Sequence, residues 1–379
     1  MKIYLPVDVI FCASLEEELN RALEAGGYAS LCVLTGIGSA RKSGLLDRVE
    51  QVLKDRGTAY FDAAVNAEPD SDAVDMLAGK IARKKVDAVI ALGGGSVMDA
   101  AKSAALLAAN SRKFEDVEFG TTGLKDALPV LAVPTVSGSG SECTPYAVIN
   151  NSRTGRKSTI GHRSLFPTST LICPELSTGV SAFQTASGAF DTLIHCFESH
   201  TGAKNNFFAD SFAIRGAGLV FAHLCASLKD PGNILHRQKL AEASMCGGAA
   251  IAHARTGAIH TLSVALQKYS PLPHGMLNAA LFRPVAKLNR EHYAGRAMEF
   301  MTLCGFRAES DAQAVHVLDE WIRKTYALPE TVFSVPEEEI GAVIDRFKQD
   351  KGLAEVNPAP MSDPVIEEFI SGVIHAQGQ

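Results

Sequence analysis

The amino-acid sequence predicts an N-terminal α/β domain with a parallel sheet, followed by an all-helical C-terminal domain. Two observations carry this prediction. Short β-rich runs alternate with helical patterns up to about residue 175, and the β-rich runs disappear from about Ser181 onward. The length of 379 residues fits two domains, because one domain usually takes about 100 to 200 residues. We place them at residues 1–178 and 179–379.

The first half contains four apolar runs with the length and composition of buried parallel strands: SLCVLTG, VDAVIALGGG, LPVLAVPT and STLICP. Helical patterns such as LEEELNRALEAG and DMLAGKIARKK lie between runs of this kind. Alternation of strands and helices is typical of parallel sheets covered by helices. This half is therefore a candidate nucleotide-binding domain.

The second half consists of long segments with helical periodicity, including ADSFAIRGAGLVFAHLCASL, AEASMCGGAAIAHARTGAIHTLSVAL and AQAVHVLDEWIRKTYAL. No low-complexity linker separates the halves, so we expect the two domains to pack directly and to leave a cleft between them.

Charge and composition argue against large charged partners. The formal charge is -6, with acidic and basic residues mixed along the chain, so no broad basic face is expected to bind nucleic acid or anionic lipid. The N-terminus has no long apolar signal core, and no uncharged run approaches the ~18 residues of a membrane span. We expect a soluble, cytoplasmic protein that acts on small molecules, without a nucleic-acid or membrane partner.

The cysteines show no C-x-x-C spacing, which predicts reduced and mostly buried thiols rather than a disulfide framework. They are Cys12, Cys32, Cys143, Cys173, Cys196, Cys225, Cys246 and Cys304.

A glycine-rich turn follows the apolar run VDAVIAL. Gly93, Gly94 and Gly95 end the predicted strand, and a helix is expected to start with Ser96 as N-cap and Asp99 as its capping-box partner. Glycines let a phosphate approach the backbone, and a helix N-terminus carries partial positive charge, so the turn could hold a pyrophosphate. A glycine-rich turn that only connects a strand to a helix, without a ligand, has the same sequence pattern. Other motifs in the chain are needed to choose between the two interpretations.

A second turn of similar character, PTVSGSGSE, follows the apolar run LPVLAV. Thr135, Ser137 and Ser139 offer hydroxyl groups to a phosphate or amide. Two such turns in consecutive strand–helix units favour a bound cofactor over a structural role.

Four side chains in the second half form a candidate metal site. Asp191 and His195 are four positions apart on one helix face. His260 and His274 are separated by a helix end and a Pro-containing turn, so the chain can reverse and bring the two imidazoles together. One carboxylate and three imidazoles suit iron(II) or zinc and do not suit calcium.

The Asp–His pair alone is weak evidence, because such pairs more often form structural hydrogen bonds. Two further histidines nearby, His200 and His253, have no spacing that singles them out, and we interpret them as structural.

Five motifs, in order, carry a resemblance to a known family. They are TGIGSARKSG, GGGSVMDAAKS, PTVSGSGSECTPYAVI, FDTLIHCFES and IHTLSVALQKYSPLPHGMLNAALFRPV, within roughly residues 5 to 290. In these motifs the chain resembles the iron-containing (group III) alcohol dehydrogenases, which share their fold with glycerol dehydrogenase and dehydroquinate synthase. The resemblance implies a Rossmann-like N-terminal domain, a helical C-terminal domain and at least a homodimer.

The resemblance also implies residue roles and a reaction. The reaction is hydride transfer between NAD(P) and a small alcohol or aldehyde whose oxygen is polarised by a divalent ion, usually Fe2+ with Zn2+ as an alternative. By the matching motifs, the resemblance assigns the metal ligands to Asp191, His195, His260 and His274. It assigns the pyrophosphate turn to Gly93, Gly94, Gly95 and Ser96, and the second nucleotide loop to Thr135 to Ser141. The family's lysine after the following hairpin matches Lys157.

The chain departs from the family pattern at three places. Many members carry a second histidine four residues after the third ligand, which can relay a proton, and Val264 stands there. This implies a different relay or slower turnover. Cys173 replaces the usual Asp of a "DP" turn, and Arg283 stands in a usual "LLPHV" segment. These two changes are expected to reshape the pocket.

Two other functions stay open at this point. One is a metal- and NAD-dependent lyase of the dehydroquinate synthase type, against which the Asp/His ligand pattern and PHGMLNA argue. The other is a non-catalytic nucleotide-binding relic of the fold, which Val264 makes conceivable. An intact set of buried ligand groups argues against a relic, because such groups cost stability without a metal or partners.

The stretch LCVLTGIGSARKSG bears on the choice of cofactor. An acidic residue at the end of the second nucleotide-binding strand usually binds the ribose hydroxyls of NAD and repels a 2′-phosphate, and none is present here. Small and basic residues stand there instead, which predicts NADP(H) over NAD(H), although a plain glycine turn with solvated basic residues would look the same. The candidate residues are Gly36, Ser39, Arg41 and Lys42.

Arginines near these motifs raise the question of an anionic substrate. Arg163, Arg255 and Arg283 could each bind a carboxylate or phosphonate group. Ordinary surface contacts are the favoured interpretation, because most arginines lie at the surface.

Overall fold

The computed structural model describes residues 3–118, 120–329, 332–350 and 352–377, with Ser39 and Gln377 described in their backbone only. The chain divides into two compact units, Met1–Gly179 and Val180–Gln379, one residue from the expected boundary. The first unit is built on a parallel sheet and the second is helical, so the predicted fold class is confirmed.

The first unit contains a six-stranded parallel sheet and a separate antiparallel hairpin. Its strands are β1 (Asp8–Phe11), β2 (Ser30–Gly36), β3 (Ala59–Val65), β4 (Ala88–Gly93), β5 (Val130–Pro134), the hairpin strands β6 (Tyr146–Asn151) and β7 (Arg156–Gly161), and β8 (Ser169–Ile172). Its helices are α1 (Leu15–Gly26), α2 (Ser39–Lys42), α3 (Leu45–Asp55), α4 (Ser71–Lys84), α5 (Gly95–Asn110) and α6 (Phe114–Val117).

Each face of the sheet buries its own core, because successive side chains of a strand point to opposite faces. Leu31 and Val33 of β2 pack with α1 and α3 on one face. Cys32 and Leu34 pack with α4 and α5 on the other. Both faces are covered, which explains why the predicted strands are continuous apolar runs.

The strand order β1-β8-β5-β4-β2-β3 contains a reversal between β2 and β4. The chain leaves β2 toward β3 on one side and leaves β4 toward β5 on the other side. The two strands pair directly, with Thr35 opposite Leu92. In parallel sheets a ligand usually binds at the carboxyl ends of the strands where the order reverses. The turns after Gly36 and after Gly93 are therefore neighbours at such a point.

Cys12 and Cys173 form a disulfide, so the expectation that all cysteines are reduced is wrong for this pair. Each cysteine follows directly on a strand, and β1 and β8 pair in parallel with Phe11 opposite Ile172. The pairing places the two Cα atoms 5.1 Å apart. The two cysteines are 161 positions apart in the sequence, so no local pattern indicates that they are in contact. It also accounts for the cysteine that replaces the family's usual aspartate.

The second unit is an assembly of helices around one hydrophobic core. They are α7 (Ala182–Thr201), α8 (Phe207–Lys229), α9 (Ile234–Ala254), α10 (Ala258–Leu266), α11 (His274–Asn289), α12 (Arg296–Leu303), α13 (Asp311–Thr325), α14 (Ile340–Lys348), α15 (Leu353–Val356) and α16 (Asp363–Gln377). Helix α7 is buried along almost its whole length and packs against α8, α9, α11 and α12.

Helix α8 is long and apolar enough, by length and composition, to cross a membrane. Its residues Ala213, Ala217 and Val220 are buried in the same core as α7, and core helices of this kind meet the same criterion.

The segment AEASMCGGAAIAHARTGAIHTLSVAL, predicted to be helical throughout, is divided between α9 and α10. Arg255 ends α9 with φ 66° and ψ 176°, a backbone conformation that residues other than glycine rarely adopt. The break allows α10 to start in a new direction at Ala258, two positions before His260.

Candidate active site

Helix α7 presents three buried polar side chains on one face: Asp191, His195 and Glu198. Their spacing of four and then three positions matches the helical repeat, so the side chains project toward the same neighbours. An N-cap fixes the start of this helix, where the Ser181 hydroxyl accepts a hydrogen bond from the Gln184 N–H. Two of these side chains are carboxylates and the third is an imidazole, and their burial together on one face marks it as a candidate site.

Two other helices bring the remaining histidines to this face. His260 lies in the first turn of α10, and His274 is the first residue of α11, directly after Pro273. Gly275 permits the close packing of α11 on α7, because a Cβ atom there would lie 1.9 Å from the carbonyl oxygen of Ser187. The predicted Pro-containing reversal thus returns the chain to Asp191.

The imidazoles of the three predicted histidine ligands lie around Asp191 Oδ1, the fourth. Its distances are 3.4 Å to His260 Nε2, 3.8 Å to His274 Nε2 and 3.9 Å to His195 Nε2. Ligand atoms of a tetrahedral site with bonds near 2.1 Å are about 3.4 Å apart, so the spacing is close to that of a metal site. Ligand atoms of Asp191, His195 and His260 lie within 4.8 Å of one another. The imidazoles of His195 and His260 are stacked, with ring centroids 4.6 Å apart.

Two of the imidazoles have a hydrogen-bond partner at Nδ1, the nitrogen that does not face Asp191. His260 Nδ1 donates to Glu198 Oε2 at 2.6 Å. His274 Nδ1 lies 3.1 Å from the Ser263 hydroxyl. Because a carboxylate only accepts hydrogen bonds, the bond to Glu198 places the proton of the neutral His260 ring on Nδ1 and leaves the lone pair on Nε2, directed at the other ligands.

The amide of Asn278 fills the space between the ligand atoms. Its Nδ2 donates to Asp191 Oδ1 at 2.8 Å and lies 3.1 Å from His260 Nε2 and 3.3 Å from His274 Nε2. Its Oδ1 is buried and has no hydrogen-bond partner among the described residues. A donor group at this position indicates that the surrounding atoms form an electron-rich pocket.

Charges and hydrogen bonds inside the pocket lower the pKa of Asp191 and raise the pKa of His260. Burial alone would raise the pKa of Asp191, but the charge of His195 and the hydrogen bond with His260 hold this pKa well below its usual range. Burial alone would lower the pKa of His260, but hydrogen bonds to Asp191 and Glu198 raise it to about 9. The pocket therefore attracts positive charge.

Glu198 and Asn278 were not among the residues predicted from the sequence. Glu198 lies three positions after His195, on the same helix face, and Asn278 lies four positions after His274. Both spacings are visible in the sequence, but they have no meaning until the ligand set itself is known. His200 and His253 make structural contacts, to Asp210 and to the Ala249 carbonyl respectively.

In the first unit, the two glycine-rich turns touch each other. A Cβ atom at Gly95 would lie 2.7 Å from Ser139 Oγ, so only glycine allows the second turn to pack against the first. The Thr135 N–H donates to the Gly93 carbonyl at 3.1 Å, and the Ser141 N–H donates to Ser139 Oγ at 3.3 Å. Backbone N–H groups and the Ser139 hydroxyl oxygen, which acts as an acceptor, thus shape the second turn.

The predicted capping box at Ser96 and Asp99 is wrong. Helix α5 begins two residues earlier than predicted, at Gly95 with Gly94 as the N-cap, because the N–H groups of Val97 and Met98 both donate to the Gly94 carbonyl. The Asp99 carboxylate bonds to the second turn instead.

Asp99 and Lys102 connect α5 to the second turn and its hairpin. Asp99 accepts hydrogen bonds from the Ser141 hydroxyl at 2.5 Å and from the Val148 N–H at 2.9 Å. The fully buried Lys102 ammonium donates to the Ser141 carbonyl at 3.0 Å. Burial lowers the pKa of Lys102 to about 8. These contacts fix the second turn relative to the helix that starts at the first.

The residues predicted to select the cofactor lie after β2, at the reversal of strand order. Arg41 forms an ion pair with Asp62 of β3, and Lys42 is exposed. The side chain of Ser39 lies outside the described part of the chain. Lys157, on the hairpin strand β7, pairs with Glu68 at 3.2 Å.

The arginines considered for an anionic substrate all have partners. Arg283 forms an ion pair with Asp319, Arg255 lies 3.4 Å from Asp350, and the guanidinium of Arg163 lies over the ring of Tyr4. Ordinary contacts, the favoured interpretation, account for what the structure shows of these side chains.

Two family models match this chain, and together they cover most of its length. Residues 6–174 match the family model described as iron-containing alcohol dehydrogenase, and residues 185–373 match that of the C-terminal domain of the Fe-containing alcohol dehydrogenase family. Alcohol dehydrogenase 4 of Saccharomyces cerevisiae (strain YJM789) is 30% identical over 292 residues, covering 76% of this chain and 75% of the yeast protein.

The chain belongs to the iron-containing alcohol dehydrogenase family.

Solved structures agree with this membership. An archaeal halo-thermophilic alcohol dehydrogenase from a Red Sea brine pool superposes with a TM-score of 0.88 at 25% identity, covering 98% of both chains. A sulfoacetaldehyde reductase from Bifidobacterium kashiwanohense, crystallised with NAD+, gives 0.84 at 26% identity, again with 98% of both chains covered. The predicted family and the predicted oxidoreductase function of this alcohol dehydrogenase are confirmed, in preference to a lyase or a non-catalytic relic.

Proposed function

We propose that this alcohol dehydrogenase binds one divalent ion, Fe2+ or Zn2+, through Asp191, His195, His260 and His274, and interconverts a small alcohol and its aldehyde with a nicotinamide cofactor. The observation that carries the proposal is the convergence of three imidazole Nε2 atoms on Asp191 Oδ1 at 3.4 to 3.9 Å. When bound, the ion supplies a Lewis acid and the nicotinamide supplies or accepts a hydride.

The residues present fit such an ion on three grounds. The four donor atoms carry a single formal negative charge, and mixed nitrogen and oxygen donors suit iron or zinc. Glu198 orients His260 so that the Nε2 lone pair of the neutral ring faces Asp191. The Asn278 amide donates into the same space, where its own Oδ1 has no described partner.

The nucleotide-binding residues of the first unit support the cofactor part of the proposal. The N-terminus of α5 and the glycines before it offer backbone N–H groups at the reversal of strand order, which is where a pyrophosphate binds in sheets of this type. Asp99 and Lys102 hold the second turn against this helix. The chain's own contribution is to hold and orient the cofactor at these turns.

The proposal extends to NADP(H) over NAD(H). No acidic residue stands at the end of β2, and Arg41 and Lys42 follow within six positions of Gly36. Basic side chains here would offset the charge of a 2′-phosphate. Asp62, on the adjacent strand β3, forms an ion pair with Arg41. Its negative charge reduces the attraction of Arg41 for a 2′-phosphate.

An uncharged alcohol or aldehyde is the proposed substrate. A similar protein is by its name a reductase of sulfoacetaldehyde, which is an anionic aldehyde. The three arginines nearest the motifs already have partners, Asp319, Asp350 and the ring of Tyr4. We expect butyraldehyde to be reduced at least as fast as its carboxylated or phosphonylated analogues, and faster turnover of an anionic analogue would contradict this part.

Metal analysis with matched variants tests the central proposal. Reconstituted wild type should hold one ion per chain and oxidise NADPH in the presence of an aldehyde. His260→Ala and His274→Ala should lose both metal and activity, whereas His253→Ala, which changes a histidine on α9 that bonds the Ala249 carbonyl, should keep both. Full metal content and turnover in either of the first two variants would show that the ligand assignment is wrong.

A further inference from the structure

Glu198 is a buried carboxylate that the predicted ligand set does not include. Both of its oxygens contact the segment that carries His260. Oε2 accepts a hydrogen bond from His260 Nδ1 at 2.6 Å, and Oε1 accepts one from the Ile259 N–H at 2.7 Å. One side chain of α7 therefore holds the ring and the backbone of a ligand on α10.

The bond to the ring determines which nitrogen of His260 carries a proton. Because Nδ1 donates to the carboxylate, Nε2 keeps a free lone pair in the neutral ring. This Nε2 lies 3.4 Å from Asp191 Oδ1, in the position from which an ion would be bound. Carboxylates behind metal-binding histidines generally fix the tautomer and the ring orientation and make the ligand more basic.

The bond to the backbone has a different effect. Ile259 N–H is one of the first-turn N–H groups that no helical carbonyl can accept. Gly257, the N-cap of α10, has no side chain to accept it, and Glu198 Oε1 does so instead. A Cβ atom at Gly257 would lie 3.0 Å from this oxygen, so the glycine leaves room for the carboxylate. Glu198 thus caps the helix as well as orienting the ring.

We propose that Glu198 is a positioning residue that sets the metal affinity of the site through its hydrogen bond to His260. This inference rests on the proposed function, because it requires an ion at the four ligands. Loss of a carboxylate in this role generally weakens metal binding by about 10- to 100-fold. Capping of α10 is a separate role, and the experiment has to distinguish the two.

Affinity for Zn2+ can be measured by competition with a chromogenic chelator in wild type, Glu198→Ala and Glu198→Gln. We expect a Kd about 10- to 100-fold higher in Glu198→Ala. Glu198→Gln keeps the size of the side chain and one acceptor oxygen but loses the charge, so an intermediate Kd is expected. A control is Asp319→Asn, a buried carboxylate of the same unit that pairs with Arg283 and Arg323 away from the ligands, and its Kd should equal that of wild type.

The double variant E198A/G257S separates orientation from capping. A serine at position 257 can cap α10 locally, in the space vacated by the carboxylate, but it cannot reach the ring of His260. The Tm of the metal-free protein should recover from the value of Glu198→Ala, while the Kd for Zn2+ stays raised. Recovery of both would mean that Glu198 acts only as a helix cap and would overturn the proposal.

Two further results would also overturn it. One is a Kd for Zn2+ in Glu198→Ala within threefold of wild type, or a Kd in Glu198→Gln equal to that of wild type. The other is an unchanged visible absorption spectrum of the Co2+-loaded Glu198→Gln protein, because altered orientation of a ligand changes the spectrum of the ion. If Glu198→Ala does not fold, Glu198→Gln decides the outcome. Wild type that binds no ion would instead refute the proposed function, and the role of Glu198 with it.

Discussion

Arg41, in the short helix after β2, forms an ion pair with Asp62 of the neighbouring strand β3. Both side chains are partly exposed, at 45% and 40%, and the hydrogen bond from Arg41 holds the pKa of Asp62 below its usual value. The sequence around Gly36 contains no acid, but the fold brings in Asp62, which lies 21 positions after Arg41 in the chain. The cation proposed to face a 2′-phosphate is therefore already partly neutralised.

Removing this competing charge should strengthen the preference for NADPH. In Asp62→Asn, the ratio of kcat/KM for NADPH to that for NADH should rise by about three- to tenfold, or up to about 1.4 kcal/mol. Gly36→Asp should shift the ratio the other way, because its carboxylate would repel the phosphate. Glu50→Gln, which removes an exposed ion pair with Lys54 on α3, is the matched control and should leave the ratio unchanged. A wild type that prefers NADH by tenfold would refute the NADP(H) proposal.

Metal affinity should rise with pH through the neutral range. The pKa of His260 in the metal-free protein is raised to about 9, so below pH 9 an ion has to displace a proton from this ring. We expect the Kd for Zn2+ to fall by about tenfold per pH unit between pH 6.5 and 9, measured with a competing chelator in non-binding buffers. Equal Kd values at pH 7 and pH 8.5 would contradict the charge state assigned to this histidine.

The stability of the metal-free protein should change in the opposite direction over the same range. A folded-state pKa above the unfolded value of 6.5 stabilises the fold fully below pH 6.5, and this contribution is lost as the pH rises through about 9. The Tm of the metal-free protein should therefore fall from pH 6.5 to 9 relative to that of His260→Gln, in which the titrating ring is absent.

Features that follow from local pattern could be predicted from the sequence, and those that depend on distant strands could not. The helix Leu15–Gly26 and the strand Ser30–Gly36 follow from periodicity and composition alone. Convergence of His260 and His274 follows from a reversal within fourteen positions. The pairing of β1 with β8 has no local signal, so the disulfide was missed.

Asp62 and Asp99 show the same limitation at the level of the site. Asp62 acts on Arg41 only because β2 and β3 are adjacent in the sheet. Asp99 has the spacing of a capping residue, yet its carboxylate bonds to Ser141 and Val148, which the sheet and hairpin bring to it. Tertiary partners, which periodicity does not reveal, decided both roles.

The backbone at Arg255 offers a direct test of strain close in sequence to His260, one of the proposed metal ligands. Its φ of 66° and ψ of 176° suit glycine, and this conformation costs other residues about 1 to 3 kcal/mol. Arg255→Gly and Arg255→Ala both remove the ion pair with Asp350. Arg255→Gly alone relieves the strain, so its free energy of unfolding should exceed that of Arg255→Ala by about 1 to 3 kcal/mol in urea titrations. Equal stability of the two variants would show that no strain is stored there.

Reduction of the disulfide should destabilise the first unit. Closing a loop between positions 161 apart removes entropy from the unfolded chain, worth at most about 5 kcal/mol at 25 °C. Treatment with a phosphine reductant should therefore lower the urea midpoint, by an amount corresponding to about 2 to 5 kcal/mol. The Cys12→Ser/Cys173→Ser variant should have the lower midpoint with or without reductant. Eight free thiols in the unreduced wild type, counted by alkylation and mass spectrometry, would contradict this prediction.

The same disulfide makes most of the nucleotide-binding unit a covalent ring that runs from Cys12 to Cys173. Every residue proposed to hold the cofactor, from Gly36 to Lys157, lies inside this ring. A protease that cuts one exposed loop within the ring, such as the stretch around Gly123, would leave the two pieces linked. The nicked enzyme would migrate as one chain on a non-reducing gel and as two after reduction. Its two nucleotide-binding turns would stay tethered to each other even though the backbone between them had been cut.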